Sequence, residues 1–279
     1  MPTVIKADGT IEDFSEEKLL SSIKRAGVPS TLHKQVLEHV RKHVYDNIPT
    51  YEIYKHIEEF LEENDEPYVR TKYSLKSALM ELGPTGFPFE VYVSEVLKAQ
   101  GFQTEVGTFL LGKCVNHEVD IVAKKASGPE GHPARREEKI FVECKFHNKP
   151  GIKSEIHVSL YTKARFDDLK QKHGFSKAML VTNTKVTSDA LSYALCENIE
   201  VMSWTYPENA SLRELIEKYK LYPITQLSFL SSSQKQELLA KDVVLIKQIC
   251  ANPSLLNQIY IPPNKKDEII KEANFVCGL

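Results

Sequence analysis

The sequence predicts an α/β fold, α+β over the whole chain. A mixed sheet with flanking helices sits between a small β-hairpin with helices and a helical module. Three observations carry this. Residues 83–204 alternate helix, strands, helix, strand, helix, strand. The segment ahead opens on a hairpin signal and continues in helical periodicity. The segment behind has helical spacing only, interrupted by prolines. The expected division is 1–82, 83–205 and 206–279, in line with the usual domain size for 279 residues.

In the first part, residues 3–6 are extended, Ala7-Asp8-Gly9-Thr10 is the turn and residues 11–14 return. Ser15 has the character of an N-cap, with Glu16 and Glu17 in the first turn where the helix dipole favours acids. Leu19, Leu20, Ile23 and Ala26 make an apolar stripe that Gly27 ends. Further helices are predicted near 33–45, 51–62 and 68–82.

The second part opens at the breaker cluster Gly83-Pro84-Thr85-Gly86. A helix is predicted over 89–100, then strands over 103–109, 118–123 and 140–146, with a loop at 127–133. A helix near 160–173, a strand at 177–182, a helix at 188–197 and a strand at 199–204 follow. The third part is helical, with joints at Pro207, Pro223, Pro253 and Pro262-Pro263. Leu238-Leu239, Ile246, Ile249, Leu255-Leu256 and Ile269-Ile270 have helical spacing, which predicts core packing or dimerisation.

An apolar fraction of 42% and a charged fraction of 27% fit a soluble globular chain. A net charge of −2 excludes a polycation, so any nucleic-acid surface is local. Five scattered cysteines (Cys114, Cys144, Cys196, Cys250, Cys277) without a C-x-x-C pair argue against a disulfide framework and a cysteine zinc site. A reducing cytoplasm is the expected location. The N-terminus lacks the layout of a signal peptide, and no apolar run approaches the ~18 residues of a membrane span.

Two strand-like segments carry chemistry: Glu118-Val119-Asp120-Ile121-Val122-Ala123 and Phe141-Val142-Glu143-Cys144-Lys145-Phe146. By alternation, Val119, Ile121 and Ala123 share one face and Asp120 the other. Glu143 and Lys145 point together, roughly 7 Å apart at Cα. If the strands pair, Asp120 and Glu143 converge beside Lys145. Carboxylates in apolar strands lose hydration and repel each other, and a divalent cation removes both costs. Mg²⁺ prefers oxygen ligands and makes water more acidic, and a nearby ammonium stabilises charge on phosphorus. Acid-x-lysine also occurs on solvated sheet faces, so the motif alone leaves both readings open. The basic run Lys145, His147, Lys149, Lys153, His157, Lys163, Arg165, Lys170, Lys172 and Lys177 is equally a phosphate-binding face or a solvated helix face. His117 and His147 could assist at the site, or be ordinary hydrogen-bonded histidines.

With Gly86-Phe87-Pro88-Phe89-Glu90 ahead of these strands, Gln100-Gly101-Phe102 closing the helix, and Ala178-Met179-Leu180-Val181-Thr182-Asn183-Thr184 behind, the segment resembles the Mrr-like restriction endonuclease domain of the PD-(D/E)XK nuclease superfamily. The resemblance implies a restriction-endonuclease-like mixed sheet and metal-dependent hydrolysis of DNA phosphodiesters. It implies Asp120, Glu143 and the Cys144 carbonyl as ligands of Mg²⁺ or Mn²⁺. Lys145 would position the water, and Glu90 would support the metal or Lys145.

Val4 to Leu19, with Ile23-Lys24-Arg25-Ala26-Gly27 and Ile48-Pro49-Thr50-Tyr51-Glu52-Ile53, resembles the ATP-cone, a regulatory nucleotide-binding domain. The resemblance implies ATP or dATP as ligand, with Lys6 and Lys18 on the phosphates and Glu12 and Thr50 near the ribose or base. The chain departs from the family at Ala7 and Tyr54. The expected whole is a nucleotide-responsive DNA endonuclease, with restriction of foreign or modified DNA implied by the family. A non-catalytic DNA-binding regulator and a repair or recombination nuclease stay open, as does a homo-oligomer.

Overall fold

The computed structural model describes residues 2–7, 9–63, 71, 73–127 and 136–279. β1 (Thr3–Ile5) and β2 (Ile11–Asp13) form the expected antiparallel hairpin, with Val4 opposite Glu12. Asp8 of its turn lies outside the described residues. Ser15 caps α1 (Glu16–Arg25), accepting the Lys18 N–H at 3.3 Å, and Gly27 follows with φ 74°. α2 (Ser30–His43) leads into β3 (Ile48–Pro49), which pairs parallel with β1, and then α3 (Thr50–Glu63). A two-residue strand has no readable period, so β3 is invisible in the sequence. Val4, Leu19, Ile23, Val36, Val40, Ile57 and Leu61 make one core under this layer.

Of the helix expected over 68–82, residues 68–70 and 72 lie outside the described residues, and α4 spans Leu75–Met80. Leu75, Leu79 and Leu82 pack into a second core shared with the rest of the chain.

The middle of the chain runs α5 (Phe87–Ala99), β4 (Gln103–Leu111), β5 (Asn116–Ser127), β6 (Arg136–Lys145), β7 (Lys153–Ser154), α6 (Ile156–His173), β8 (Lys177–Thr182), β9 (Lys185–Val186), α7 (Ser188–Cys196) and β10 (Ile199–Met202). Residues 128–133 of the expected loop lie outside the described residues. The main sheet has the order β10-β8-β6-β5-β4. The β4-β5 and β5-β6 pairs are antiparallel, and the β6-β8 and β8-β10 pairs are parallel. β7 and β9 make a separate parallel pair.

Period-2 burial places helices on both faces. Ile121, Ala123, Ile140 and Val142 meet Phe89, Val93, Val96 and Leu97 of α5. Val122, Phe141, Leu180 and Val201 meet Val158 and Leu169 of α6 and Ala194 of α7. Val119 packs with this second group, although alternation assigned it to the face of Ile121. The irregularity falls where Gly107, with φ 63°, lies between the register pairs Val106↔Ile121 and Thr108↔Val119. The register continues unbroken past Gly107, so the positive φ, which glycine tolerates, accompanies the change of face without a bulge.

Behind the sheet come α8 (Leu212–Tyr219), α9 (Ser232–Leu239), α10 (Ile246–Ala251) and α11 (Pro263–Cys277). Ser211 with Glu214 and Ser231 with Gln234 form capping boxes, the sequence signature of a helix start. Leu238, Leu239, Ile246, Ile249, Leu256 and Ile269 are buried against the core that α5 and the sheet also build. Their stripe is therefore internal packing. Tyr92 of α5 donates its hydroxyl to the Leu221 carbonyl at 2.6 Å, tying the two parts together. Glu272 of α11 is fully buried, yet takes the Ser228 N–H at 2.8 Å and the Thr71 hydroxyl, so its charge is satisfied. One expectation fails: Cys250 and Cys277, which no C-x-x-C spacing connects, are disulfide-bonded because α10 packs on α11. Cys114, Cys144 and Cys196 are free.

Candidate active site

The pairing of β5 with β6 ends at Ile121↔Val142, whereas β6 stays paired with β8 as far as Lys145↔Thr182. The two strands therefore part just where Asp120 and Glu143 stand. Asp120 closes the gap with its side chain: its Oδ2 accepts the Cys144 N–H at 2.7 Å. That bond holds both carboxylates at the open end of the sheet, with Lys145 two residues beyond Glu143 on the same strand.

Glu90 joins them from the first turn of α5, whose N-cap is Gly86. Burial pushes its carboxyl up to about 7, with further contributions from the charges of Asp120 and Glu118. Burial likewise pushes Glu143 up to about 8, with Asp120 adding repulsion and Arg165 opposing it. Asp120 is raised by burial, and the Cys144 N–H and Arg165 pull it back. Glu90, Asp120 and Glu143 are thus brought together: the Asp120 charge makes Glu90 and Glu143 harder to ionise, and Glu90 adds to the effect on Glu143.

Arg165 is the residue that sequence reasoning misplaced. Its guanidinium donates to Glu143 Oε2 and to the Glu118 carbonyl, and stacks over the Phe141 and Tyr161 rings at 5.5 and 5.2 Å. It belongs to the buried stripe Val158, Thr162, Arg165, Leu169 of α6. That helical spacing was the available signal, hidden by reading Arg165 as one of a run of surface cations.

The segment after Lys145 is fixed by a polar lattice. The His147 N–H donates to Asn183 Oδ1 at 2.9 Å, and Asn183 Nδ2 donates to the His147 carbonyl at 2.7 Å. The His147 ring meets Ser154 Oγ at 3.1 Å, and burial with the Lys145 charge lowers its pKa. His147 is therefore a neutral structural neighbour of the site. His117 is engaged elsewhere: its Nε2 lies 2.8 Å from Asp168, whose carboxylate also takes the Cys114 N–H and pins the β4–β5 turn to α6. Much of the basic run is neutralised as well. Lys163 pairs with Asp167 and Glu197, Lys170 with Asp167, and Lys177 with Glu138 and Glu200. The expected phosphate face shrinks accordingly. Among the described residues of this run, Lys145, Lys149 and Lys172 keep no ion-pair partner.

The front residues Lys6, Glu12, Lys18 and Thr50 all line one cleft of about 300 Å³. Glu12 Oε2 lies 2.6 Å from Lys6 Nζ and 2.9 Å from Lys18 Nζ, and these two bonds hold its carboxyl below the usual range. The opposite wall includes Ile152, Lys153, Thr184 and Lys185, from the β7–β9 pair and the turns beside it. No helix among the described residues is long and apolar enough to cross a membrane.

A split sheet presenting three carboxylates and a lysine, faced by helices on both sides, defines a domain of the restriction-endonuclease class. The sequence agrees. It matches the family models described as ATP cone domain over residues 2–79, restriction endonuclease over 84–205, and AF1548-like, C-terminal, over 222–277. An uncharacterized protein of Archaeoglobus fulgidus is 34% identical over 187 residues, which is 67% of this chain and all of that one. The crystal structure of AF1548, a protein of unknown function, superposes with a TM-score of 0.57 at 32% identity, over 70% of this chain and all of that one. The DNA modification-dependent restriction endonuclease AspBHI is 13% identical, with a TM-score of 0.39, over 60% of this chain and 39% of that one. The chain belongs to the AF1548-like family, with an ATP cone domain fused to a restriction endonuclease domain.

Proposed function

We propose that this protein is a nucleotide-responsive deoxyribonuclease that hydrolyses DNA phosphodiesters with Mg²⁺ or Mn²⁺. The observation that carries this reading is the clustering of Glu90, Asp120 and Glu143, whose carboxyls are all raised by burial, with the Asp120 charge raising Glu90 and Glu143 further. An all-oxygen, under-compensated donor set fits a hard divalent cation. Asp120, Glu143 and the Cys144 carbonyl would hold it, with Glu90 in support. The ion supplies charge neutralisation at the scissile phosphate and a more acidic water.

The chain's own groups do the rest. The Cys144 N–H fixes the Asp120 carboxylate, so its position is set before substrate arrives. The Lys145 ammonium orients the attacking water and offsets negative charge growing on the phosphoryl oxygens. The Asn183–His147 bonds hold the backbone that follows Lys145.

Residues 1–82, 83–205 and 206–279 are assigned as sensor, catalytic and helical parts, the last two sharing a core. ATP or dATP would sit in the front cleft with its phosphates on Lys6 and Lys18, displacing Glu12, and with Glu12 and Thr50 near the sugar or base. The same cleft is walled by Lys153, which follows β6, and Lys185, which follows the end of β8 where Thr182 pairs with Lys145, and this is the route by which a nucleotide would alter cleavage. Restriction of foreign or modified DNA is the role this family suggests.

The Arg165–Glu143 ion pair favours a second reading, in which the fold binds DNA and cleavage has been lost. Supercoiled plasmid, methylated or not, incubated with Mg²⁺ and with or without ATP or dATP, separates the two. The nuclease reading expects metal-dependent nicking that Glu143→Ala abolishes while DNA binding persists. Binding without nicking under every condition supports the regulator.

A further inference from the structure

The front layer carries a second cluster that the nucleotide cleft does not use. His39 and His43 stand four residues apart on one face of α2, and His56 faces them from α3. One ring nitrogen from each lies within 4.8 Å of the others. The rings of His43 and His56 stack with centroids 4.4 Å apart, and those of His39 and His43 at 4.6 Å.

The hydrogen bonds leave one ring nitrogen of each histidine available. His43 Nδ1 lies 2.8 Å from the His39 carbonyl, an acceptor only, so Nδ1 carries the proton and Nε2 is free. His56 Nδ1 lies 3.2 Å from the Glu59 carboxylate, which fixes the same tautomer. A carboxylate on the far nitrogen of an imidazole is the usual support behind a metal-bound histidine. His39 Nε2 is buried and has no hydrogen-bond partner. A buried polar nitrogen left bare is costly unless something binds it.

We propose that His39, His43 and His56 form a binding site for a divalent transition metal of the zinc class, bridging α2 to α3 through three imidazole nitrogens. Tetrahedral bonding at about 2.0–2.1 Å brings the nitrogens to about 3.3 Å from one another, a closure that side-chain rotation supplies. Neutral imidazoles suit Zn²⁺ and Co²⁺, whereas Mg²⁺ prefers oxygen, so this site and the carboxylate site draw different ions. The fourth position faces solvent on the side of the exposed His43. Because α3 begins at Thr50 in the nucleotide cleft, the ion would brace the helix that forms one wall of that cleft.

The test is Co²⁺ titration of the EDTA-treated full-length chain, read by visible absorption, followed by Zn²⁺ displacement. Four-coordinate Co²⁺ on imidazoles gives intense bands that an octahedral oxygen site does not. The expected result is one equivalent with such bands, bleached by Zn²⁺ and lost in His43→Ala, a surface change that leaves the circular dichroism intact. Glu59→Gln should weaken binding about 10–100-fold. Absence of the bands in the wild-type chain, or their survival in His43→Ala, would overturn the proposal.

Discussion

The Arg165 guanidinium reaches from α6 to Glu143 across the face of Phe141, and both side chains are almost out of solvent, at 8% and 12% exposure. The arginine offsets part of the repulsion that Asp120 and Glu90 impose on Glu143. Removing one partner of such a pair leaves a buried charge unmatched. Arg165→Met is therefore expected to lower stability by about 3 kcal/mol in urea unfolding above about pH 8, where Glu143 is ionised. Loss of less than about 1 kcal/mol would mean that the pair is dispensable to the fold.

The raised carboxyls fix a sign for pH. Glu143 at about 8 and Glu90 at about 7 both lie above their unfolded values near 4.5. Their contribution is fully present below about pH 4.5 and is lost as pH rises through about 7 to 8. Metal-free protein should therefore become less stable over that interval, and Mg²⁺ should bind more tightly as the carboxyls ionise. Thermal melts from pH 5 to 9, with and without Mg²⁺, should diverge increasingly with pH. Parallel curves would contradict the assignment of these groups to a cation site.

In the front cleft, Lys6 and Lys18 share the Glu12 carboxylate, and a triphosphate would compete for both. Lys18→Ala is expected to weaken ATP or dATP binding at least about tenfold, the scale of one charge-assisted hydrogen bond. Equilibrium binding of a fluorescent nucleotide measures it. An unchanged affinity would move the nucleotide out of this cleft.

The Cys250–Cys277 bond closes a loop of 27 residues between α10 and α11. Chain entropy for a loop of that length predicts about 3 kcal/mol of stabilisation. Reduction with dithiothreitol, or Cys250→Ser, should lower the unfolding midpoint accordingly. Equal midpoints in oxidised and reduced protein would show that α10 and α11 hold together without it.

Much of this architecture was legible because its signals are local. The Asp-Gly turn, the Ser15 cap, the alternation through Val119–Ala123 and Phe141–Phe146 and the breakers at Gly27, Gly83 and Gly101 each act within a few residues. What escaped depends on distant partners. β3, β7 and β9 are two-residue strands defined only by their neighbours. Val119 changes face beside Gly107, on another strand. Arg165 reads as a surface cation until α6 is laid on β6, and the two readings of His117, site helper or ordinary hydrogen-bonded histidine, are separated only by its distant partner Asp168. The cysteine pair required knowing that α10 packs against α11. In the candidate site, Asp120, Glu143 and Lys145 stand out because charges in apolar strands are conspicuous, whereas Glu90, on a helix, enters only through the family resemblance. The arginine that tempers them was not.

The most direct test of the nuclease reading is single-turnover cleavage of plasmid DNA by Asp120→Asn in Mg²⁺. Asparagine keeps the size of the side chain and an oxygen for the Cys144 N–H, so the local fold should survive while one charged ligand is lost. The account expects a loss of about a thousandfold or more, the scale of removing a principal electrostatic group from an active site, with DNA binding retained. Cleavage at the wild-type rate would contradict it.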